Sequence, residues 1–440
     1  MKKRILAIVV AGILILSLPL AFSGCGKQEA ASSSSDAAVE KTGEKITVIL
    51  PKHEMDTVGF HEEMTRKFEQ ETGIEVELIN ESWENVADSI MTDLTAGGGA
   101  YDVIEFDNSW VQKFYDNDWL TPLNDYASDE IMKGMLPGLI DKFSVDGKLY
   151  GIAWNNDTRF FMYNSQMLKD AGYDAPPETW SKLTEMSKAI QTKGVAPYGF
   201  IDSYMNQQTG SNEITFLVYS FGGKLFDDKG NPVMANDAKT KAAFEFIVNA
   251  MNTDKIVDPG SLTADYETVA NVFCTGGSAF MLQAWPGVYS LANDPESSSI
   301  VDQIAVANTA VHADGEQQMV LTLPEAMAIP KTSQHKDAAW KYIEYMSSKE
   351  FDKQRADTIG ALPVWTDLFS DADLLAKYPY WENFAGQIAS SQGLPNLTWY
   401  DEYTNVLMTE VQKMMLGQTT VDDGLKSIQD QCIALQKENS

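Results

Sequence analysis

ITVILPKHEMDTVGFHEEMTRKFEQETGIEVELI, residues 46–79, is the stretch on which the fold of this chain turns. Ile46 to Leu50 is an apolar run closed by Pro51, which cannot donate to a ladder, so it reads as a short strand. From Gly59 to Thr72 the apolar residues Phe60, Met64 and Phe68 recur every four positions, which lines them along one face of a helix. Gly73 stands where a helix C-terminus favours left-handed backbone. Ile74 to Ile79 alternates apolar and charged residues, the period of a second strand. Outward from there, Asn85 to Leu94 is another amphipathic helix, closed by Gly97-Gly98-Gly99, and Asp102 to Phe106 is a third strand. Strand, helix, strand, helix, strand at these lengths is a βαβ series, which implies an α/β fold with a mainly parallel sheet flanked by helices.

The pattern continues through the chain. Val145 to Tyr150 reads as a hairpin around Asp146-Gly147. Arg159 to Tyr163 is a strand and Ser165 to Ala171 a short helix. Pro176-Pro177-Glu178-Thr179-Trp180 opens a helix running towards Ile190. Thr240 to Met251 is a helix, Ala279 to Leu282 a buried strand, and Asp337 to Ser347 a helix followed by an extended Leu362–Trp365 segment. The chain from Tyr400 to Lys437 is mainly helical. No internal repeat or coiled coil interrupts this order.

The N-terminus carries a different kind of information. Lys2, Lys3 and Arg4 precede an uncharged, mostly apolar run from Ile5 to Phe22, and then Ser23-Gly24-Cys25. That arrangement reads as an export signal of the bacterial lipoprotein type over residues 1–24, with lipid on the Cys25 sulfur. The alternative is a single transmembrane anchor, for which the run is about long enough. Residues 25–45, with four consecutive serines and no apolar cluster, cannot bury enough surface to offset ordering entropy and read as a flexible spacer. Either reading places the globular part outside the cytoplasm, tethered to the cell membrane.

A chain of 440 residues is too long for one compact core and suits two domains. The formal net charge is −30, three more negative once the cationic signal residues are cut away. So acidic a body repels phosphate backbones and anionic lipid heads, which excludes nucleic acid as a partner. Cys274 and Cys432 lie far apart, and the apolar setting of Cys274 (VFCTGGSAFML) reads as core. Two free thiols are expected, with a single disulfide as the alternative. There is no CxxC and no Cys/His cluster, so no metal is expected. No cofactor is expected either: GxSxG, HExxH and GxxxxGK[ST] are all absent. Asp227 to Asn231 lacks the spacing and terminal Glu of a Ca²⁺ loop and reads as a turn. A glycosidase pair of carboxylates cannot be singled out among 63 Asp and Glu residues.

Five segments, in this order, resemble the extracellular solute-binding proteins of bacterial ABC importers, in particular the sugar-binding group that includes maltose-binding proteins. They are FEQETGIEVELI (residues 68–79), YDVIEFDNSW (101–110), FFMYNSQMLKDAGYDAPPETWSKL (160–183), GGSAFMLQAWPGVYSL (276–291) and AMAIPKTSQHKDAAWKYIEYMSS (326–348). The resemblance implies the two-lobe periplasmic-binding-protein fold of type II, with hinge crossings between lobes. The first lobe would take residues 46–153 and 320–362, and the second 154–319 and 363–440. It implies a monomeric, non-enzymatic receptor that captures a sugar between its lobes and delivers it to the permease subunits of a transporter. The alternatives are a non-sugar solute or an exported glycoside-degrading enzyme.

In open α/β sheets, ligands bind beyond the carboxyl ends of the strands, and those positions here are rich in aromatic and amide side chains. His53 and Glu54 follow the first strand, Trp83 the second, and Asp107 and Trp110 the third. Trp154, Asn156, Asp157 and Arg159 lie at the first crossing, Tyr204 in the polar loop from Asp202, Trp285 after the Ala279–Leu282 strand, and Trp365 at the end of the last crossing. A pyranose has apolar C–H faces and a belt of hydroxyls. Indole rings cover the faces, while carboxylates, amides and guanidinium groups pair with the hydroxyls. Trp180 and Trp340, on apolar stripes of helices, read as core.

Overall fold

In the computed structural model of the protein, the described residues are 43–53, 56, 58–227, 229–313, 319–381 and 391–439. The opening βαβ series is present as β1 (Lys45–Pro51), α1 (Phe60–Thr72), β2 (Glu75–Glu81), α2 (Trp83–Thr95) and β3 (Val103–Asp107). Phe60, Met64 and Phe68 are buried on α1, and Gly73, at φ 72°, donates its N–H to the Glu69 carbonyl to close the helix. The helix expected from Asn85 begins two residues earlier. Ser82 caps it, its hydroxyl accepting from Asn85 N–H, and so draws Trp83 into the first turn.

A five-stranded sheet has the order β2, β1, β3, Glu325–Ala328, Ile152–Asn155. β1 pairs in parallel with both β2 and β3, as βαβ connections require. Glu325–Ala328 then runs antiparallel to β3 and to Ile152–Asn155. A second sheet has the order Ile304–Ala307, Phe160–Asn164, Ser278–Ala284, Tyr198–Phe200, with two antiparallel pairings and one parallel. Both sheets are therefore mixed, beyond the mainly parallel arrangement expected. The antiparallel members enter from the other sheet, so no helical crossover fixes their direction.

Two short segments carry the chain between sheets. Asn155 ends a strand of the first sheet and Phe160 begins one of the second, and Val320–Pro324 leads back into Glu325–Ala328. These crossings are zipped together: Arg159 N–H donates to Leu321 O at 2.9 Å, Leu323 N–H to Asp157 O at 2.9 Å, and the Thr158 and Thr322 hydroxyls pair at 3.0 Å. The Leu362–Trp365 segment joins them where Asn156 Nδ2 donates to Pro363 O at 2.9 Å.

Period-two alternation divides the second sheet. Phe160 and Met162 pack into the core cluster that also holds β1 and β3, whereas Phe161 packs with the C-terminal helices Tyr400–Met415 and Val421–Glu438. Trp180 and Trp340 are buried on their helices, as core. Cys274 and Cys432 are buried free thiols, each pushed up to about 12 by burial. Cys25 and Glu54 lie outside the described residues. No described helix is long and apolar enough to cross a membrane, and no group of three His, Cys, Asp or Glu among the described residues could hold a metal ion.

Candidate functional site

The strand ends of both sheets converge on one cleft of about 580 Å³, its open mouth included. β1 delivers Pro51, Lys52 and His53, the start of α2 delivers Trp83, and β3 delivers Asp107. The first crossing supplies Asn155, Asp157 and Arg159, and the second supplies Leu323 and Glu325. Trp285, directly after the Ser278–Ala284 strand, completes the wall with Asn212 and Tyr266.

Arg159 is the centre of this arrangement. Its Nη2 donates to Asp157 Oδ2 at 2.6 Å, and its Cζ lies 4.7 Å over the Tyr266 ring and 5.3 Å from the Trp285 ring. The two rings are 5.1 Å apart. A guanidinium held over aromatic faces and against a carboxylate is oriented as well as neutralised. Burial opposes its charge, but Asp157, Tyr266 and Glu213 hold its pKa above the ordinary range. Arg159 Nε and Nη1 and Asp157 Oδ1 have no hydrogen-bond partner among the described residues. Unpaired buried polar atoms are costly, and these belong to residues that line the cleft.

The remaining polar groups are tuned by burial. Asp107 accepts from Ser109 N–H at 2.7 Å, yet burial, helped by nearby Asp157, pushes its carboxyl up to about 6. Glu325 pairs with Asn155 Nδ2 and is held well above the usual carboxylate range by burial and by Glu105 and Asp157. Burial and Arg355 push His53 down to about 3, so it is a neutral imidazole at physiological pH. Behind the cleft, Arg355 is wholly buried, donates to Trp154 O and Asn155 Oδ1, and stacks 4.6 Å from the Trp154 ring. It fixes the crossing from behind.

Of the residues expected at the site, the cleft wall gathers His53, Trp83, Asp107, Asp157, Arg159 and Trp285. It does not include Trp110, Trp154, Asn156, Tyr204 or Trp365. Trp154 packs edge-on against His53 and His61 in the interior. The reason is alternation: Asn155, Asp157 and Arg159 reach the cleft, so Trp154 and Asn156 turn away, and Asn156 is used in the hinge. Tyr204 is buried with its hydroxyl donating to Asp202 Oδ2 at 3.2 Å. Trp365 is buried with its Nε1 donating to Ser347 O at 2.9 Å. Trp110 stacks behind Trp83, rings 5.4 Å apart and inclined by 23°. Lining residues missed from sequence include Lys52, Asn212, Tyr266 and Glu325. Lys52 borders His53 and was within reach of the strand-end argument, whereas Asn212 and Tyr266 sit on helices and carry no such signal.

Two α/β layers joined by hydrogen-bonded crossings, with an aromatic and polar cleft where their strand ends meet, define a two-lobe ligand-binding protein. The chain belongs to the bacterial extracellular solute-binding proteins, whose family profile matches residues 54–353. It is 26% identical over 390 residues, covering 85% of this chain and 84% of the relative, to a probable amino-acid ABC transporter periplasmic-binding protein of Sinorhizobium fredii. It is 22% identical to an arabinooligosaccharide-binding protein of Bacillus subtilis, over 87% of this chain and 86% of that one. Among solved structures, maltose-bound T. maritima MalE3 superposes with a TM-score of 0.83 at 26% identity, over 89% of this chain and 99% of that one. Membership of this family places the chain outside the cytoplasm.

Proposed function

We propose that this protein is the receptor of an ABC importer, that it captures a sugar in the cleft between its lobes, and that it hands the sugar unchanged to permease subunits. The observation that carries the reading is the Trp285–Tyr266–Arg159–Asp157 group: flat rings beside an oriented ion pair with unpaired donors and an unpaired acceptor. The rings suit the apolar face of a pyranose, and the donors and acceptor suit adjacent hydroxyls. The arabinooligosaccharide-binding and maltose-bound relatives support this class of ligand. Closure follows from position. A ligand touching residues on both sides of the crossings gains contacts only when the lobes approach, so it shifts the population towards the closed form. The protein acts as a monomer tethered by lipid on Cys25, and no group in the cleft is needed for bond cleavage.

The test follows tryptophan fluorescence and product formation together while neutral sugars are titrated into the purified mature protein. A saturable spectral change with the sugar recovered intact is expected. Turnover of the sugar would instead make the protein a glycoside-degrading enzyme, and saturation only by amino acids would replace the ligand class.

The protonation of Asp107 gives a second expectation. A hydroxyl donated to its carboxylate favours the ionised form, so binding below its pKa of about 6 releases a proton. Affinity should therefore rise as pH increases from about 5 to about 7, by up to roughly tenfold per unit below the pKa, and then level off. Asp107→Asn should flatten the profile. Calorimetric titrations at several pH values check this, and an Asp107→Asn profile as steep as the parent's would exclude Asp107 as the titrating group.

A further inference from the structure

We propose that Arg355, which does not itself line the cleft, is a positioning residue for it: Arg355 holds the Asn155 amide in one orientation, and Asn155 in turn sets which oxygen of Glu325 meets the ligand. This rests on the reading of the cleft as a sugar site.

The relay begins at a bulge. Where the strand Ile152–Asn155 pairs with Glu325–Ala328, Asn155 lies opposite Glu325 and Ala153 opposite Ala326, so Trp154 has no partner across the ladder. An extra residue of this kind bends its strand and re-aims a side chain. Here it sets Asn155 and Glu325 face to face in the cleft wall, and the Trp154 carbonyl accepts from Arg355 Nη1. Arg355 Nη2 donates to Asn155 Oδ1, and Asn155 Nδ2 donates to Glu325 Oε2. A guanidinium has donors and no acceptor, so the atom that Asn155 turns towards it can only be the carbonyl oxygen. The amide nitrogen is thereby committed to Glu325. Asn155 is the one hydrogen-bond partner of the Glu325 side chain among the described residues. Glu325 lines the cleft, so Oε1 is the oxygen left to a ligand.

Arg355 is itself fixed from two sides. Its guanidinium lies 4.6 Å from the Trp154 ring. One turn earlier on the same helix, Lys349–Ile359, Asp352 accepts from the Val364 and Trp365 N–H groups at 2.8 and 3.1 Å. The helix thus grips the first crossing through Arg355 and the Leu362–Trp365 segment through Asp352. A buried charge is costly, and an apolar side chain of similar volume often replaces one without loss of stability. What an apolar side chain cannot do is bind a backbone carbonyl and an amide oxygen together through one planar fork.

The experiment measures affinity by calorimetry on the mature protein, with D-glucose, maltose and arabinobiose as probes. The variants are Arg355→Lys, Asn155→Asp, Glu325→Met and the Arg355→Lys/Glu325→Met pair. Lysine keeps the charge but cannot make the fork. Aspartate keeps an acceptor for Arg355 but sets a second carboxyl against Glu325. Each single variant is expected to weaken the tightest-binding probe tenfold or more. The pair is expected to bind no more than about twofold worse than the weaker of its two single variants, because Arg355 acts through Glu325. Losses that multiply in the pair, or an Asn155→Asp protein that binds like the parent, would overturn the relay and leave the sugar-binding reading standing. Asn155→Asp decides alone if the lysine variant does not fold. If none of the probes binds, the reading of the cleft fails, and the Asn155 side-chain amide resonances decide the relay separately. Exchange with water at least tenfold slower in the parent than in Arg355→Lys is expected, and equal rates would overturn it.

Discussion

Asp157→Ala is expected to lower the unfolding free energy by about 3–5 kcal/mol, the cost of leaving a buried charge without its partner. Arg159 and Asp157 are both more than nine-tenths buried, and Arg159 Nη2 has no hydrogen bond among the described residues other than the one to Asp157. Without the carboxylate, a guanidinium that the surrounding rings and Glu213 can only partly compensate stays in the interior. The same argument predicts the outcome of removing both charges. Asp157→Leu with Arg159→Met should recover most of the lost stability, because an apolar pair of similar volume carries no desolvation cost, yet it should not restore sugar binding. Denaturant midpoints of the three proteins check this. A single variant as stable as the parent would mean that the pair contributes to neither hinge nor fold.

Trp285→Ala should weaken sugar binding at least tenfold, about 1.4 kcal/mol or more, while the protein stays folded. The indole lies 5.1 Å from the Tyr266 ring and 5.3 Å from the Arg159 guanidinium and lines the cleft with both, so truncation removes a platform and also loosens the guanidinium that it helps to orient. Buried aromatic anchors of this kind carry a disproportionate share of binding energy. Calorimetry measures the loss, and far-ultraviolet circular dichroism verifies the fold. Unchanged affinity would remove Trp285, and with it the stacking argument, from the site.

Both expectations depend on which residues share a face, and there the reading of the sequence was uneven. Strand ends were legible: His53, Trp83, Asp107 and Trp285 were each found by locating an apolar run and looking one to four residues beyond it, and all four line the cleft. At the crossing, the same reasoning took Trp154, Asn156, Asp157 and Arg159 together, whereas an extended chain can send only alternate residues one way. Glu325 was one acid among many. It became distinguishable only when its strand paired with β3 and set it opposite Asp107. Trp365, at the end of an extended segment, resembled a platform by position, but its indole N–H is bound by Ser347 O and its ring is enclosed.

The sequence by itself determined the order of strands and helices and the strand ends that border the cleft, because periodicity and turn residues are local properties, and its resemblance to a known family supplied the two-lobe class. Tertiary structure alone decided the direction of the antiparallel strands, the choice between neighbouring tryptophans, and the meeting of Tyr266, Trp285 and Arg159. Those depend on register and on the approach of segments more than a hundred residues apart, and a one-residue change of register would turn the side chains of a strand to the opposite face.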